Sequence, residues 1–320
     1  MSAPGISGIA YSLPAQRRSL SELATAAQLQ SDSSLLAQFG FDGVHVADEE
    51  TPYSLALAAA TRVLEEQHAP PDSIDQLIYC GTSALAFSPR GSATDAACRL
   101  ATTRRFQYPA TRLQYDLGLE RASAIAVDQL ACTSLFAAVR FARAVIAAGE
   151  ARRVLCVSAE FFPECAGREA IFNVTGDAGC AVLIDDSAHR NRIVASAERT
   201  KGYYWDADAL RNEIIASYFP TAKHVIDETL HRAGWSREDV RWVIPHNVSV
   251  RSWEILLGLV GIPRARLWDR NVPRIGHTLA GDNFINLCDA IDDGSVRPGD
   301  RLLLFSYGYG AHWTALAVEA

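Results

Sequence analysis

Two apolar segments in the first half of this chain recur in the second, and that repeat limits the possible folds more than any other feature. Pro71-Asp72-Ser73-Ile74-Asp75-Gln76-Leu77-Ile78 has the same polar and apolar order as Arg237-Glu238-Asp239-Val240-Arg241-Trp242-Val243-Ile244. Ile74 and Leu77 therefore recur as Val240 and Val243 at one constant offset. Later in each half, Arg153-Val154-Leu155-Cys156-Val157-Ser158 matches Arg301-Leu302-Leu303-Leu304-Phe305-Ser306. A helix, a short turn and an apolar strand follow in the same order each time. The pattern suggests two similar halves built around a shared centre. The alternative is that any two amphipathic strands look alike.

Strands and helices alternate along the chain, which points to an α/β architecture. The periodicity predicts strands over Gln76–Cys80, Ala124–Val127, Val154–Ser158, Cys180–Ile184, Val240–Ile244 and Leu302–Ser306. It predicts helices over Tyr53–Gln67, Thr94–Thr103, Leu135–Ala148, Tyr218–Ala233, Val250–Val260 and Asn283–Asp292. Several strands are apolar throughout, as in a sheet covered on both faces. The repeat pairs the helix after Cys132 with the one near Ala280–Asp292, so a twofold arrangement brings both helix starts to the middle of the molecule.

Composition sets bounds on function. Of 320 residues, 49% are hydrophobic and 21% charged, which is ordinary globular material. Mean hydropathy is near zero, and no apolar run approaches the ~20 residues of a membrane helix. The first residues lack the basic and apolar regions of a signal peptide, so a cytoplasmic enzyme is expected. Net charge is −7 with dispersed lysine and arginine, which does not suggest a nucleic-acid partner. The seven cysteines form no CxxC pair, which argues against a disulfide framework and against a metal site.

Among those cysteines, Cys132 alone sits at a strand-to-helix junction, in Asp128-Gln129-Leu130-Ala131-Cys132-Thr133-Ser134. A thiol at the first turn of a helix faces unpaired backbone N–H groups and the positive end of the helix dipole. Both favour the thiolate, the reactive form. The place suits a nucleophile that takes up an acyl group and hands it on. The plainer reading is a small buried hydrophobe.

Two histidines stand where they could serve that thiol. His246 follows an apolar strand in Ile244-Pro245-His246-Asn247, at the strand end where open α/β sheets place their chemistry. His277 lies in Ile275-Gly276-His277-Thr278-Leu279-Ala280-Gly281-Asp282, between glycines that permit close backbone approach. Each alone is more often an exposed or satisfied core residue, but the three together form a more specific constellation. The final segment, Ser306-Tyr307-Gly308-Tyr309-Gly310-Ala311-His312-Trp313, ends a strand on glycines that let the backbone pass close to a ligand or simply turn.

These segments, in their order and spacing, resemble the signature of the β-ketoacyl-acyl-carrier-protein synthase III family, and so does Phe172-Asn173-Val174-Thr175-Gly176-Asp177-Ala178-Gly179. The resemblance implies the thiolase fold: a duplicated five-layered α/β/α/β/α sandwich, with residues 1–190 as the half carrying the nucleophile and 191–320 as the half carrying both histidines. It implies a homodimer, thioester substrates on coenzyme A or an acyl-carrier protein, and no bound cofactor. By position, Cys132 becomes the acylated nucleophile, and His246 and His277 its catalytic partners. The backbone N–H groups of Cys132 and Tyr309 form the oxyanion hole. Arg251, Gly308 and Gly310 contact substrate.

Three departures qualify the match. His277 stands where synthase III enzymes have asparagine, and Gly276-His277-Thr278-Leu279 is similar instead to a motif of the elongating synthases. The tryptophan and arginine that hold coenzyme A near the N-terminus are missing from Ser31–Phe41, which favours a carrier-bound donor. Tyr309 interrupts what is usually a triple-glycine turn. Together they suggest a relative from specialised metabolism, in polyketide or fatty-acid-like biosynthesis.

The first expectation is a ketosynthase that joins the acyl group on Cys132 to a malonyl-type thioester with loss of carbon dioxide. The second is an acyltransferase of the same fold that passes it to a hydroxyl or amine, with a histidine as base. A non-catalytic partner subunit and a thiol protease are weaker rivals. Neither explains all three residues together with the repeat.

Overall fold

The computed structural model describes residues 4–81, 108–162 and 166–320. The helix expected over 94–103 lies outside them, as do Cys98 and Cys165. In chain order the elements begin with β1 (Gly5–Ser12), β2 (Arg17–Ser19), α1 (Leu20–Thr25), α2 (Ser33–Gln38), β3 (Gly43–His45), α3 (Pro52–Glu66), β4 (Gln76–Cys80) and α4 (Pro109–Asp116). Then come β5 (Ser123–Val127), α5 (Ser134–Ala147), β6 (Arg153–Glu160), β7 (Glu169–Ala170), β8 (Asn173–Val174) and β9 (Ala178–Asp185). The second half holds β10 (Arg192–Thr200), α6 (Arg211–Ala233), β11 (Trp242–Pro245), α7 (Val250–Val260), α8 (Asn271–Ile275), α9 (Asp282–Asp292), β12 (Arg301–Gly308) and β13 (His312–Glu319).

Nine strands run in the order β11-β12-β13-β10-β1-β9-β6-β4-β5. The repeat is written into that order. β1 pairs antiparallel with β9, β9 antiparallel with β6, and β6 parallel with β4. In the second half β10 pairs antiparallel with β13, β13 antiparallel with β12, and β12 parallel with β11. The two segment pairs seen in the sequence are thus β4 with β11 and β6 with β12. The halves meet where Gly5 bridges Arg192, beside a bond from the Ile6 N–H to the Asn191 carbonyl.

Period-two alternation in the strands divides the core into three layers of side chains. Leu77, Tyr79, Leu155 and Val157 face α3 and α4. Ile78, Cys80, Val154 and Cys156 point the other way, into a central layer with α5 and α9. Ile244, Leu302 and Leu304 of the second half enter that same layer, where Phe136 and Phe284 meet at 5.3 Å between ring centroids. Val243, Leu303 and Phe305 face outward to α6 and α7. The result is the five-layered α/β/α/β/α arrangement. Its middle layer is made of the two helices that the repeat pairs with one another. Each fully buried Leu, Ile or Phe there contributes about 1.5–3 kcal/mol.

Helix α6 begins at Arg211, seven residues before the sequence suggested, and carries Pro220 inside it. A proline removes one backbone bond and bends a helix, but burial of Ile214, Thr221 and Ala222 on one face holds both sides together. Strands β1, β10 and β13 were not singled out in the sequence. Cys80, Cys156 and Cys180 are core residues, as expected. No helix among the described residues is long and apolar enough to cross a membrane.

Candidate active site

The position of Cys132, the candidate nucleophile, follows from the backbone around it. β5 ends at Val127, and a single 3-10 turn over Ala131–Thr133 precedes α5. The Thr133 hydroxyl and N–H both donate to the Leu130 carbonyl and close that turn. Cys132 therefore stands at the helix start, 5% exposed. From the other half, β12 delivers Ser306, whose hydroxyl donates to the Cys132 carbonyl at 3.1 Å. Gly308 follows, and a Cβ there would lie 2.4 Å from the Leu130 carbonyl oxygen and 3.1 Å from the Cys132 nitrogen. Only glycine allows this approach, and it sets the terminal turn beside the Cys132 N–H.

His277 arrives from the second half on the turn between α8 and α9. Its N–H donates to the Val174 carbonyl at 2.8 Å, and its carbonyl accepts the Gly176 N–H at 2.9 Å. The stretch Phe172–Gly179 thus holds the histidine's backbone in place. Gly276 turns the chain at φ +73°, where a Cβ would lie 2.4 Å from Val44. The imidazole Nε2 then lies 3.3 Å from Cys132 Sγ.

Behind the imidazole stands Asp282, fully buried at the start of α9. His277 Nδ1 lies 2.5 Å from its Oδ2. The Asn247 N–H donates to that oxygen at 2.6 Å, and the Thr278 N–H and hydroxyl donate to Oδ1. A carboxylate so placed only accepts, so Nδ1 carries the proton and Nε2 faces the sulfur. Burial disfavours a charge on His277, but the Asp282 carboxylate and Cys132 outweigh it and hold the imidazole pKa well above the usual histidine value.

His246 shares the centre in a different environment. It is 1% exposed, with its ring centroid 6.2 Å from that of His277, 5.5 Å from Trp253 and 5.9 Å from Phe305. Burial, reinforced by the nearby His277, pushes its pKa down to about 3. The ring is neutral at ordinary pH.

Two further side chains of α9 fasten these loops. Asn283 donates to the Ile244 and Phe305 carbonyls, and Asn286 to the Pro245 carbonyl and the Asn247 side chain. Buried amides must be paired, so one helix face ties the ends of β11 and β12 to the turn of His277. The sequence reading passed over Asp282, Asn283 and Asn286. The available signal was three polar residues, at i, i+1 and i+4, on a face that an amphipathic helix would make apolar.

A cavity of about 280 Å³ ends at Cys132, His246 and His277. Its wall is aromatic and aliphatic, with Phe172, Ile214, Tyr218 and Tyr307 prominent. The Tyr309 side chain joins that wall, and its phenol is pushed up to about 12 by burial and by Cys132. Arg251 also lines the cavity; its side chain is 70% exposed and pairs with Glu254 at 2.9 Å. Gly308 and Gly310 are not in the wall; they lie in the turn behind the nucleophile. Among the described residues no cluster of histidine, cysteine or carboxylate has the makings of a metal site. The arrangement can raise a thiolate, hold a neutral imidazole at the same carbonyl, and keep water from an acyl chain.

Comparison with known proteins agrees with this geometry. The family model described as 3-oxoacyl-[acyl-carrier-protein] synthase III matches residues 128–202, and the one for its C-terminal part matches residues 230–320. β-Ketoacyl-[acyl-carrier-protein] synthase III 3 of Streptomyces coelicolor is 30% identical over 320 aligned residues, covering 90% of this chain and 89% of that one. The crystal structure of 3-oxoacyl-[acyl-carrier-protein] synthase III from Aquifex aeolicus superposes with a TM-score of 0.83 at 25% identity, over 99% of this chain and all of the other. A structure of the acyltransferase ChlB3 superposes with a TM-score of 0.85 at 19% identity, over 99% and 98%, a likeness of fold. With its thiolase fold, the chain belongs to the 3-oxoacyl-[acyl-carrier-protein] synthase III family of condensing transferases.

Proposed function

We propose that this protein takes an acyl group from a thioester onto Cys132 and condenses it with a malonyl-type thioester. The observation that supports this best is the meeting of Cys132 with two buried histidines of opposite character at the end of an apolar cavity. His277 Nε2 holds the proton given up by Cys132, so the sulfur attacks the incoming thioester as a thiolate. The old carbon–sulfur bond then breaks, and the departing thiolate receives that proton. The second thioester loses its carboxylate as carbon dioxide, and its carbonyl becomes an enolate that neutral His246 stabilises through an imidazole N–H. The enolate carbon attacks the acyl carbonyl, and Cys132 leaves as thiolate. The backbone N–H groups of Cys132 and Tyr309 steady the oxyanion in both halves of the cycle.

A second reading has its own observation. His277 backed by a carboxylate is a base, whereas asparagine at that place can only donate and accept hydrogen bonds. Such a base suits transfer of the acyl group to a hydroxyl or amine. Malonyl-carrier substrate labelled at its free carboxyl separates the two. Labelled carbon dioxide released with turnover supports condensation; product formed from an alcohol or amine with none released overturns it.

Substrate delivery and assembly complete the reading. Arg251, in the cavity wall with its guanidinium in solvent, is the contact for a donor's phosphate, and the missing N-terminal tryptophan and arginine favour a carrier-bound donor over coenzyme A. Residues 1–190 supply the nucleophile and 191–320 the histidines. The outer edge of β5 pairs with no strand among the described residues, which supports a homodimer formed by strand addition.

A further inference from the structure

We propose that Asp282 is a positioning residue: it fixes the His277 tautomer so that Nε2 accepts the Cys132 proton, and thereby makes His277 the base of the acylation step. This rests on Cys132 being the acylated nucleophile, and it holds whether the acyl group later goes to carbon or to a heteroatom.

The geometry carries it. The His277 ring bridges the other two groups, with Cys132 Sγ at 3.3 Å from Nε2 and Asp282 Oδ2 at 2.5 Å from Nδ1. All three are buried, so water does not compete for these bonds. The carboxylate is itself held by three donors, the N–H groups of Asn247 and Thr278 and the Thr278 hydroxyl. One of them belongs to the residue after His246 and two to the residue after His277, so the same side chain sets the spacing of both histidine loops. An unpaired carboxylate in this place would be costly. The fourth partner, His277 Nδ1, connects the carboxylate to the sulfur.

The step balances on these atoms. Before attack the Cys132 proton rests on Nε2, and a carbon–sulfur bond then forms at the thiolate Sγ. The carbon–sulfur bond of the donor breaks, and its thiolate leaves with the proton from Nε2. Throughout, Nδ1–H stays bonded to Asp282, which stabilises the imidazolium that exists between the two transfers.

Asp282→Asn is nearly isosteric but presents an amide N–H to Nδ1. It therefore favours the tautomer with hydrogen on Nε2, which cannot take the thiol proton. The expected result is a fall of roughly 10²–10⁴-fold in the rate at which an acyl thioester adds to Cys132, read by intact mass. The midpoint of iodoacetamide alkylation against pH should also move upward, because the imidazolium that favours the thiolate is lost. Thr278→Val removes one bond to the same carboxylate but leaves Nδ1 its partner, and should move the alkylation midpoint less than Asp282→Asn does. If Asp282→Asn does not fold, proton NMR of the wild-type protein provides the test. A far-downfield Nδ1–H resonance assigned to His277 is expected, and its absence with His277 carrying hydrogen on Nε2 alone would overturn the proposal. So would Asp282→Asn acylating with the wild-type rate and pH profile. Failure of the wild-type protein to acylate at Cys132 would instead refute the functional reading itself.

Discussion

The loops that carry His246 and His277 present the same side chain to one cavity, yet they make it do different things. His277 has a buried carboxylate behind it and a sulfur in front. His246 has the rings of Trp253 and Phe305 around it, and burial outweighs the more distant pull of Asp282. The first environment rewards a positive charge and the second forbids one. The chemistry of an imidazole is thus set by what packs against it rather than by its place in a motif. A nucleophile that must lose a proton and a carbonyl that must gain a hydrogen bond require these two kinds of histidine at once.

Substitutions can break that comparison. Cys132→Ala should abolish acyl-enzyme formation altogether, as seen by intact mass after exposure to acyl thioesters; a remaining adduct would place the nucleophile elsewhere. His277→Asn keeps a hydrogen-bond donor but removes the base, and should slow acylation by about 10²–10⁴-fold. His246→Asn should leave acylation within ~10-fold of normal and slow the condensation step by roughly 10²–10³-fold. Single-turnover measurements of the two half-reactions check both variants. If they slow the same half-reaction equally, the two histidines are not divided in role.

Acid stability sharpens the comparison further. His246 titrates near 3 in the folded protein and near 6.5 when unfolded. Below pH 6.5 the unfolded chain binds a proton that the native state refuses, so stability falls as the pH drops from about 6.5 to 3. The full loss is on the order of 5 kcal/mol. His277, with a raised value, contributes in the opposite sense: its stabilisation is complete below 6.5 and is lost as pH rises through its folded value. Denaturant melts across that range should therefore show a shallower acid limb for His246→Gln than for the wild type. An unchanged slope would mean that the ring is not buried as a neutral group.

The smallest effect belongs to the cavity wall. Tyr309→Gly restores the glycine turn usual in the family and removes a ring from the cavity. The preferred acyl chain should lengthen, with a change of about 10-fold in the ratio of rates for long and short donors. The same ratio in both proteins would place the acyl chain away from Tyr309.

The sequence was legible where burial is two-sided. β4, β6, β9 and β12 are continuous apolar runs, so both the strands and their repeat stood out, while Cys132 and His246 follow the ends of β5 and β11 and His277 lies on the turn before α9. β1 and β10 escaped because small and polar residues interrupt their apolar ones, and β13 because its apolar run continues from the glycine turn. The start of α6 escaped because Pro220 reads as a beginning. Asp282 looked like an acid at a helix N-terminus, which helices favour for dipole reasons alone. Only the fold brings Nδ1 of His277 and the backbone of Asn247 to its oxygens. Gly308 illustrates the same point. Its spacing suggested contact with substrate, whereas its missing side chain makes room for the nucleophile's own turn.

The division of labour between the histidines can be read directly by NMR of the wild-type protein with isotope-labelled histidine, followed across pH 5 to 8. The account predicts that His246 stays neutral throughout that range while His277 holds its Nδ1 proton and remains charged well above the pH at which a free histidine would be half-titrated. Both rings titrating together near pH 6.5 would contradict it.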